Sequence, residues 1–468
     1  MTEPREGPGK VNVSSEAQGG VPNGEPSPDS VNSVLDVPFN GVVSKSQHIL
    51  MSFQNIFAMT GMFLFPAILG ATLHLSTEKI AWLYGATFVV SGLGTLLQST
   101  LGLKLPIVLG PWAATFAGLI ISGEVDGLGA AFGSLFIATI IWAVLSFPIR
   151  GFSFVGYIGR IFREPMLYGG VNLMLMVALT STTVVNWIGT PAQPGFGAAN
   201  WIGGAVAIVV TFGILLFGRG FLRSAAMITG IVVGALAYSI FTPIHFTRVV
   251  NAAWFVVPRI FPFGFSVNWL LVLLFFILIT SSVAWTLSLY NVLAEWSGER
   301  LDGHRMAWGI FGQSLAAIVA GVLGTFTLVA YPDNLGIVRT SRVGSRWITA
   351  TTGVLLIIGG FILKFDEIFV SIPGNVIAAA AVVLFGVIAM SGVDTLSRVK
   401  WDQLNYLVLG VPLMLSLGGL FVAPATMAHY PLLVKEIIIN PFFTGPILLI
   451  FLHLLVNKVI RPRTQGFK

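Results

Sequence analysis

Gly324-Thr325-Phe326, Tyr331-Pro332-Asp333-Asn334-Leu335-Gly336 and Ser341-Arg342 follow one another within a run of apolar spans, and Asp333 is the only carboxylate that the sequence pattern places inside a span. A carboxylate at mid-membrane costs about 2.5 to 3.5 kcal/mol on insertion scales, so Asp333 needs a buried, wet or partnered setting and is the first functional candidate. Proline removes a backbone donor and disfavours helix in the residue before it. Tyr331-Pro332 is therefore expected to be extended, with a helix beginning at Asp333 or Asn334. A strand leading into a half-helix survives in lipid only where protein or a water-filled cavity covers it. Its helix N-terminus offers free N–H groups and a positive dipole end, the arrangement from which transporters build solute sites. The plainer alternative makes Asp333 a helix cap beside a proline turn, although Ser or Thr would cap at far less desolvation cost.

The composition fits this setting. With 55% hydrophobic residues, 9% charged residues and a mean hydropathy of +0.88, the chain reads as an all-α polytopic membrane protein. The absence of cysteine excludes disulfides, thiolate metal sites and cysteine nucleophiles. Six scattered histidines lack metal-ligand spacing, so neither a metal nor a cofactor is expected. Residues 1–44, rich in Gly, Pro, Ser, Asn and Glu, are expected to form a disordered cytoplasmic tail, and no signal-peptide pattern precedes the first span.

Fourteen apolar spans follow, at about 48–72, 79–100, 105–121, 129–149, 164–184, 199–218, 223–243, 267–293, 305–324, 328–341, 346–363, 373–393, 402–422 and 440–457. The third and tenth are short and carry Pro111 and Pro332; at about 1.5 Å per residue neither crosses about 30 Å of hydrocarbon as a full helix. Each is third in its half of seven, and the offset between the two prolines nearly equals that between the first and eighth spans. Matching interruptions of this kind mark a repeat. Seven is odd, so the second half is expected to insert upside down.

With the N-terminus in the cytoplasm, only Lys79, Arg248, Arg259, Lys364 and Lys435 fall in outside segments, and the remaining basic residues lie inside. This satisfies the positive-inside rule with both termini cytoplasmic. The net charge of +6 is then a matter of topology, and a nucleic-acid partner is not expected.

The third span, Leu105-Pro106 through Gly110-Pro111-Trp112-Ala113-Ala114-Thr115, mirrors the tenth. Two half-helix N-termini could face each other at mid-depth with a planar polar solute between them, and Gly110, Ala113 and Ala114 would let it approach. Equally, these small residues could serve close helix packing.

The chain resembles the nucleobase–ascorbate transporter family, which includes the uracil and xanthine permeases, along nearly its whole membrane region. The resemblance rests on Gln54-Asn55-Ile56-Phe57-Ala58-Met59-Thr60-Gly61, Leu105-Pro106 with Leu109-Gly110, Asn251-Ala252-Ala253-Trp254-Phe255, Gly324-Thr325-Phe326, Asp333-Asn334-Leu335-Gly336, Ser345-Arg346, Ile372-Pro373 and Phe385-Gly386-Val387-Ile388 with Ser391-Gly392. It implies a 7+7 inverted repeat. Core segments at 45–150 and 267–364 would carry the solute past gate segments at 151–245 and 365–458, with an extracytoplasmic loop at 246–266 and a short cytoplasmic tail at 459–468. It further implies a homodimer in the cytoplasmic membrane, working by an elevator motion and coupled to protons. By the same resemblance the tenth-span acid falls on Asp333, flanked by Tyr331, Pro332 and Asn334, and the third-span backbone contact falls on Ala113 beside Gly110.

Three departures stand out. Gln54-Asn55 replaces the family's usual Gln-His; His48 imitates that pair but comes too early. Counting back from Gly298-Glu299 places Trp285 where the eighth span usually carries a glutamate, and Asp333 is one methylene shorter than the usual Glu or Gln. An indole offers one donor and a stacking face but no proton-accepting group. The leading expectation is a nucleobase carrier with Asp333 as acceptor and coupling group. The alternatives are an uncoupled facilitator, a carrier of an anion such as bicarbonate or sulfate, and a non-transporting sensor. An enzyme would need a nucleophile with its base, or a metal cluster, inside the spans, and the sequence offers neither.

Overall fold

Backbone in hydrocarbon has to satisfy its own polar groups, and each apolar stretch does so by coiling. The computed structural model describes residues 35–149, 154–155, 164–191, 193, 195–299, 301–422, 426 and 441–461. In chain order these form α1 (Lys45–Ala58), α2 (Thr60–Thr72), α3 (Thr77–Thr100), β1 (Leu109–Pro111), α4 (Ala113–Val125), α5 (Leu128–Ser146), α6 (Pro165–Ile188), α7 (Ala198–Phe217), α8 (Gly220–Ser224), α9 (Ala226–Ser239) and α10 (Thr247–Asn251). There follow α11 (Trp269–Ser297), α12 (Gly303–Leu323), β2 (Leu328–Ala330), α13 (Pro332–Ser341), α14 (Arg346–Gly360), α15 (Leu363–Ser371), α16 (Gly374–Leu396), α17 (Gln403–Gly419) and α18 (Pro441–Leu455). Every apolar stretch read from the sequence carries one of these helices. Among the described residues seven helical segments, α1 and α2 counted together, are long and apolar enough to cross a membrane.

The helices pack as two groups. In the first, α3 lies along α14, and α12 lies against α3 and α5, with α11 beside α5. In the second, α6 lies along α16, α7 packs on α9 and α16, and α18 on α6 and α17. Both groups use the same device, the close approach of small residues. A Cβ on Gly92 of α3 would sit 2.5 Å from the Gly353 carbonyl of α14, and one on Gly169 of α6 2.7 Å from the Gly392 carbonyl of α16.

Among the described residues the one sheet is a two-stranded antiparallel ladder, β1 with β2, pairing Leu109 with Ala330, Gly110 with Val329 and Pro111 with Leu328. Gly324, at φ +64°, ends α12 in the left-handed region and turns the chain toward β2.

One expectation is corrected by the structure. The tail was to be disordered through residue 44, but Leu35 and Phe39 are buried, and a backbone bridge joins Val37 to Val343. The N–H groups of Gly344 and Arg346 donate to the carbonyls of Val37 and Phe39 at 2.9 Å, so the end of the tail is docked against the turn after α13. Residues 1–34 and 462–468, the rest of the two tails, lie outside the described residues. Asp366 and Glu367 fall between the eleventh and twelfth apolar stretches, and nothing in the sequence singles them out. Both are buried, because α15 packs against α3, α2 and α14.

Candidate functional site

The site grows from the two prolines. Pro111 ends β1, and Pro332 occupies the first position of α13, where its missing N–H costs nothing. Tyr331, at φ −91° and ψ 120°, is extended as expected; the helix starts one residue earlier than expected, at Pro332, with Tyr331 as its N-cap. Asp333 is therefore not the cap. It lies in the first turn, and no ion pair reaches it among the described residues. Its side chain is exposed, as are Pro332 and Gly336 on the same helix.

Beyond the strands the ladder is extended by Trp112 N–H to the Thr327 carbonyl at 2.8 Å and by Tyr331 N–H to the Val108 carbonyl at 3.1 Å. From its two ends α4 and α13 depart, so two helix N-termini flank three residues of sheet. A two-stranded ladder leaves outward-facing peptide groups, each costly if unpaired in a buried site. Neighbouring helices satisfy them with side chains. Thr95 Oγ1 on α3 accepts from Leu109 N–H at 2.9 Å, and Thr286 Oγ1 on α11 accepts from Ala330 N–H at 3.2 Å. Gln313 Nε2 on α12 donates to the Leu328 carbonyl at 2.8 Å, and Trp285 Nε1 donates to the Ala330 carbonyl at 3.0 Å. Across the ladder, Thr327 Oγ1 donates to Thr115 Oγ1 at 2.8 Å.

Tyr331 fills the space at the crossing. Its hydroxyl donates to the Pro111 carbonyl at 2.9 Å, and its ring lies over Gly110, where a Cβ would sit 2.5 Å from Cε2. A Cβ on Gly61, just past the Met59 break between α1 and α2, would collide with the same hydroxyl. Of the two readings of Gly110, the packing one describes this contact. Ala113 and Ala114 are buried at the start of α4.

Asn55 and Asn334 form a second link between α1 and α13. Asn334 Nδ2 donates to the Asn55 side-chain oxygen at 2.9 Å and to its backbone carbonyl at 3.1 Å, and Asn334 Oδ1 is buried without a donor among the described residues. The structure thus gathers Tyr331, Pro332, Asp333, Asn334, Asn55, Gly110, Ala113 and Trp285 around one crossing. Trp285 reaches it differently from expectation: its single donor is engaged by Ala330, and its ring stacks on Tyr168 of α6 at 4.9 Å and 19°.

Tyr168 was not found from the sequence. It belongs to the second helix group, meets Trp285 at the level of the ladder, and its buried hydroxyl has no partner among the described residues. Gln313 was also missed, although an amide within an apolar span is a visible signal. Thr286 is one of several polar residues in its span, and nothing in the sequence singles it out.

The profile of the Permease family, that of xanthine and uracil permeases, matches residues 46–425. The chain belongs to that family. Like its relatives it is a permease, not an enzyme, and a multi-pass membrane protein. The permease is 29% identical to the uric acid permease PucK of Bacillus subtilis (strain 168) over 393 residues, covering 80% of this chain and 89% of that one. It is 27% identical over 390 residues to the uracil permease of the same organism, covering 79% and 85%. Among solved structures, the transmembrane domain of the cyanobacterial bicarbonate transporter BicA superimposes with a TM-score of 0.54 at 13% identity, covering 81% of this permease and 96% of that domain. That likeness establishes the shared 7+7 inverted-repeat fold of a mostly helical membrane protein.

Proposed function

We propose that the permease is a secondary transporter that carries a nucleobase, such as uracil, xanthine, uric acid or a related flat heterocycle, across the cytoplasmic membrane. The observation that carries this reading is the β1–β2 crossing: two helix N-termini flank it, and the exposed Asp333 carboxylate stands in the first turn of one of them. Free N–H groups at the N-termini suit the carbonyl oxygens of a base, and Asp333 suits its ring N–H. The Trp285–Tyr168 stack supplies an aromatic wall where the two helix groups meet. The names of the relatives, a uric acid permease and a uracil permease, point to the same substrate class.

In this reading the fourteen apolar stretches are all membrane spans, and both termini are cytoplasmic. The first helix group is the core that carries the solute, the second is the gate, and the core moves past the gate as an elevator in a homodimer. Asp333 takes the coupling proton. Uptake of radiolabelled uracil, xanthine, uric acid and hypoxanthine into proteoliposomes tests the substrate class; saturable uptake of at least one base supports it, and uptake of none overturns it.

A second reading, an uncoupled facilitator, is favoured by one observation. Trp285 stands where the resemblance places a glutamate and cannot exchange a proton, and its donor is held by the Ala330 carbonyl. Transport of bicarbonate or sulfate on the same fold is disfavoured, because neither offers a ring N–H to the Asp333 carboxylate, whose charge would repel it.

A further inference from the structure

Asp366, on α15, is a carboxylate that the solute site does not use. It is 0% exposed, and neither side-chain oxygen has a hydrogen-bond partner among the described residues. The donors around it are engaged elsewhere. Tyr84 Oη, on α3, donates to the Phe63 carbonyl at 2.8 Å. Lys364 Nζ donates to the carbonyls of Val249 and Val250 at 3.1 and 2.9 Å. Arg259 lies 3.8 Å from Glu78 and stacks over Trp82.

The main chain is shaped around this carboxyl. At Gly85 of α3, a Cβ would sit 2.7 Å from Asp366 Oδ2 and 2.9 Å from the Gly360 carbonyl oxygen, so the backbone passes the carboxyl where no side chain would fit. An ionised carboxylate without a donor is strongly disfavoured in a buried site. A carboxylic acid is neutral and avoids that cost.

We propose that Asp366 is a proton-binding site of the first helix group, separate from the solute site, which holds its proton at neutral pH. The reaction is protonation alone: the carboxylate takes one proton from water and becomes the acid. Burial, with the charge of Glu367 beside it, pushes the Asp366 carboxyl up to about 9. The other titratable or charged groups on the elements packed around it are Lys364 and Glu367 on α15, Glu78, Lys79 and Tyr84 on α3, and Arg248 on α10. Arg248 acts on Glu367. The α2 helix has no such group, and α14 has only Arg346 at its opposite end. The site stands whether or not Asp333 couples transport to protons.

The test uses the purified full chain, with Asp366→Asn and Asp333→Asn variants. Asn is neutral and nearly isosteric with the acid, so Asp366→Asn is expected to fold. An unfolded aspartate titrates near about 3.9. Between that value and about 9 the native state binds one proton more than the unfolded state, so stability falls as pH rises through this window. The Tm of the wild type is expected to fall from about pH 5 to about pH 9 more steeply than that of Asp366→Asn. Infrared difference titration is expected to show a protonated-carboxyl C=O band disappearing near pH 9 in the wild type and in Asp333→Asn, and absent from Asp366→Asn. Equal Tm slopes, or a band that survives in Asp366→Asn, overturn the proposal. A wild-type spectrum with no carboxyl titrating above neutral pH overturns it whether or not the variant folds.

Discussion

Replacing Gly110 by alanine tests whether the ladder and Tyr331 form one packed unit. The added Cβ would lie 2.5 Å from Cε2 of Tyr331 and 3.0 Å from Cδ2 and Cζ, all closer than van der Waals contact. The ring has little freedom to retreat, because its hydroxyl is tied to the Pro111 carbonyl at 2.9 Å and lies hard against Gly61. The ladder has little freedom as well, since Gly110 pairs with Val329 at its centre. Inserting a methyl group into so confined a site costs about 1–3 kcal/mol. Thermal or denaturant unfolding of the detergent-solubilised protein measures the loss. The decisive version is a double-mutant cycle with Tyr331→Leu, which removes the ring. If the clash is the cause, Gly110→Ala costs about 1–3 kcal/mol with tyrosine at 331 and little with leucine there, a coupling of the same size. An equal cost in both backgrounds, or a cost below about 0.5 kcal/mol with tyrosine, refutes the packing argument.

Trp285→Phe keeps a ring to stack on Tyr168 but leaves the Ala330 carbonyl without its donor, so a loss of about 1–3 kcal/mol is expected in the same unfolding assay. Thr286→Val removes the acceptor of the Ala330 N–H and should cost a similar amount; both variants at wild-type stability would argue against side-chain support of the ladder. Asn334→Ala cuts both bonds to Asn55, and is expected to raise the KM for the transported base several-fold with less effect on Tm, read from uptake curves and thermal melts. Phe39→Ala empties a buried position where the tail docks, at a cost of about 3 kcal/mol, and should make the chain near residues 35–41 cleavable by added protease.

Much of the site can be read from the sequence because proline punctuates it. Pro111 and Pro332 fix an extended residue before each half-helix, and the interruptions recur at equal offsets, so the strand and half-helix pairs could be expected before any contact was known. The same logic missed the start of α13 by one residue, because proline is also favoured as a helix's first residue. Other features depend on which segments meet, and hydropathy does not carry that information. Tyr168 matters through its stack on Trp285, more than a hundred positions away in the chain. Asp366 looks like a residue of a polar connection until α15 folds back onto α3. Residues 35–41 are too polar and too short to read as structured, yet they find backbone partners at Arg342, Gly344 and Arg346.

We propose that Asp333 sits at the centre of a proton-coupled nucleobase site, and accumulation of a labelled base against its gradient is the decisive measurement. Wild-type protein and the Asp333→Asn variant are reconstituted into liposomes, and a labelled base is followed with and without an inward proton gradient. The wild type is expected to concentrate the base above its external level only with the gradient, and the variant is expected not to. Concentration by the variant equal to that of the wild type, or wild-type uptake indifferent to the gradient, would contradict it.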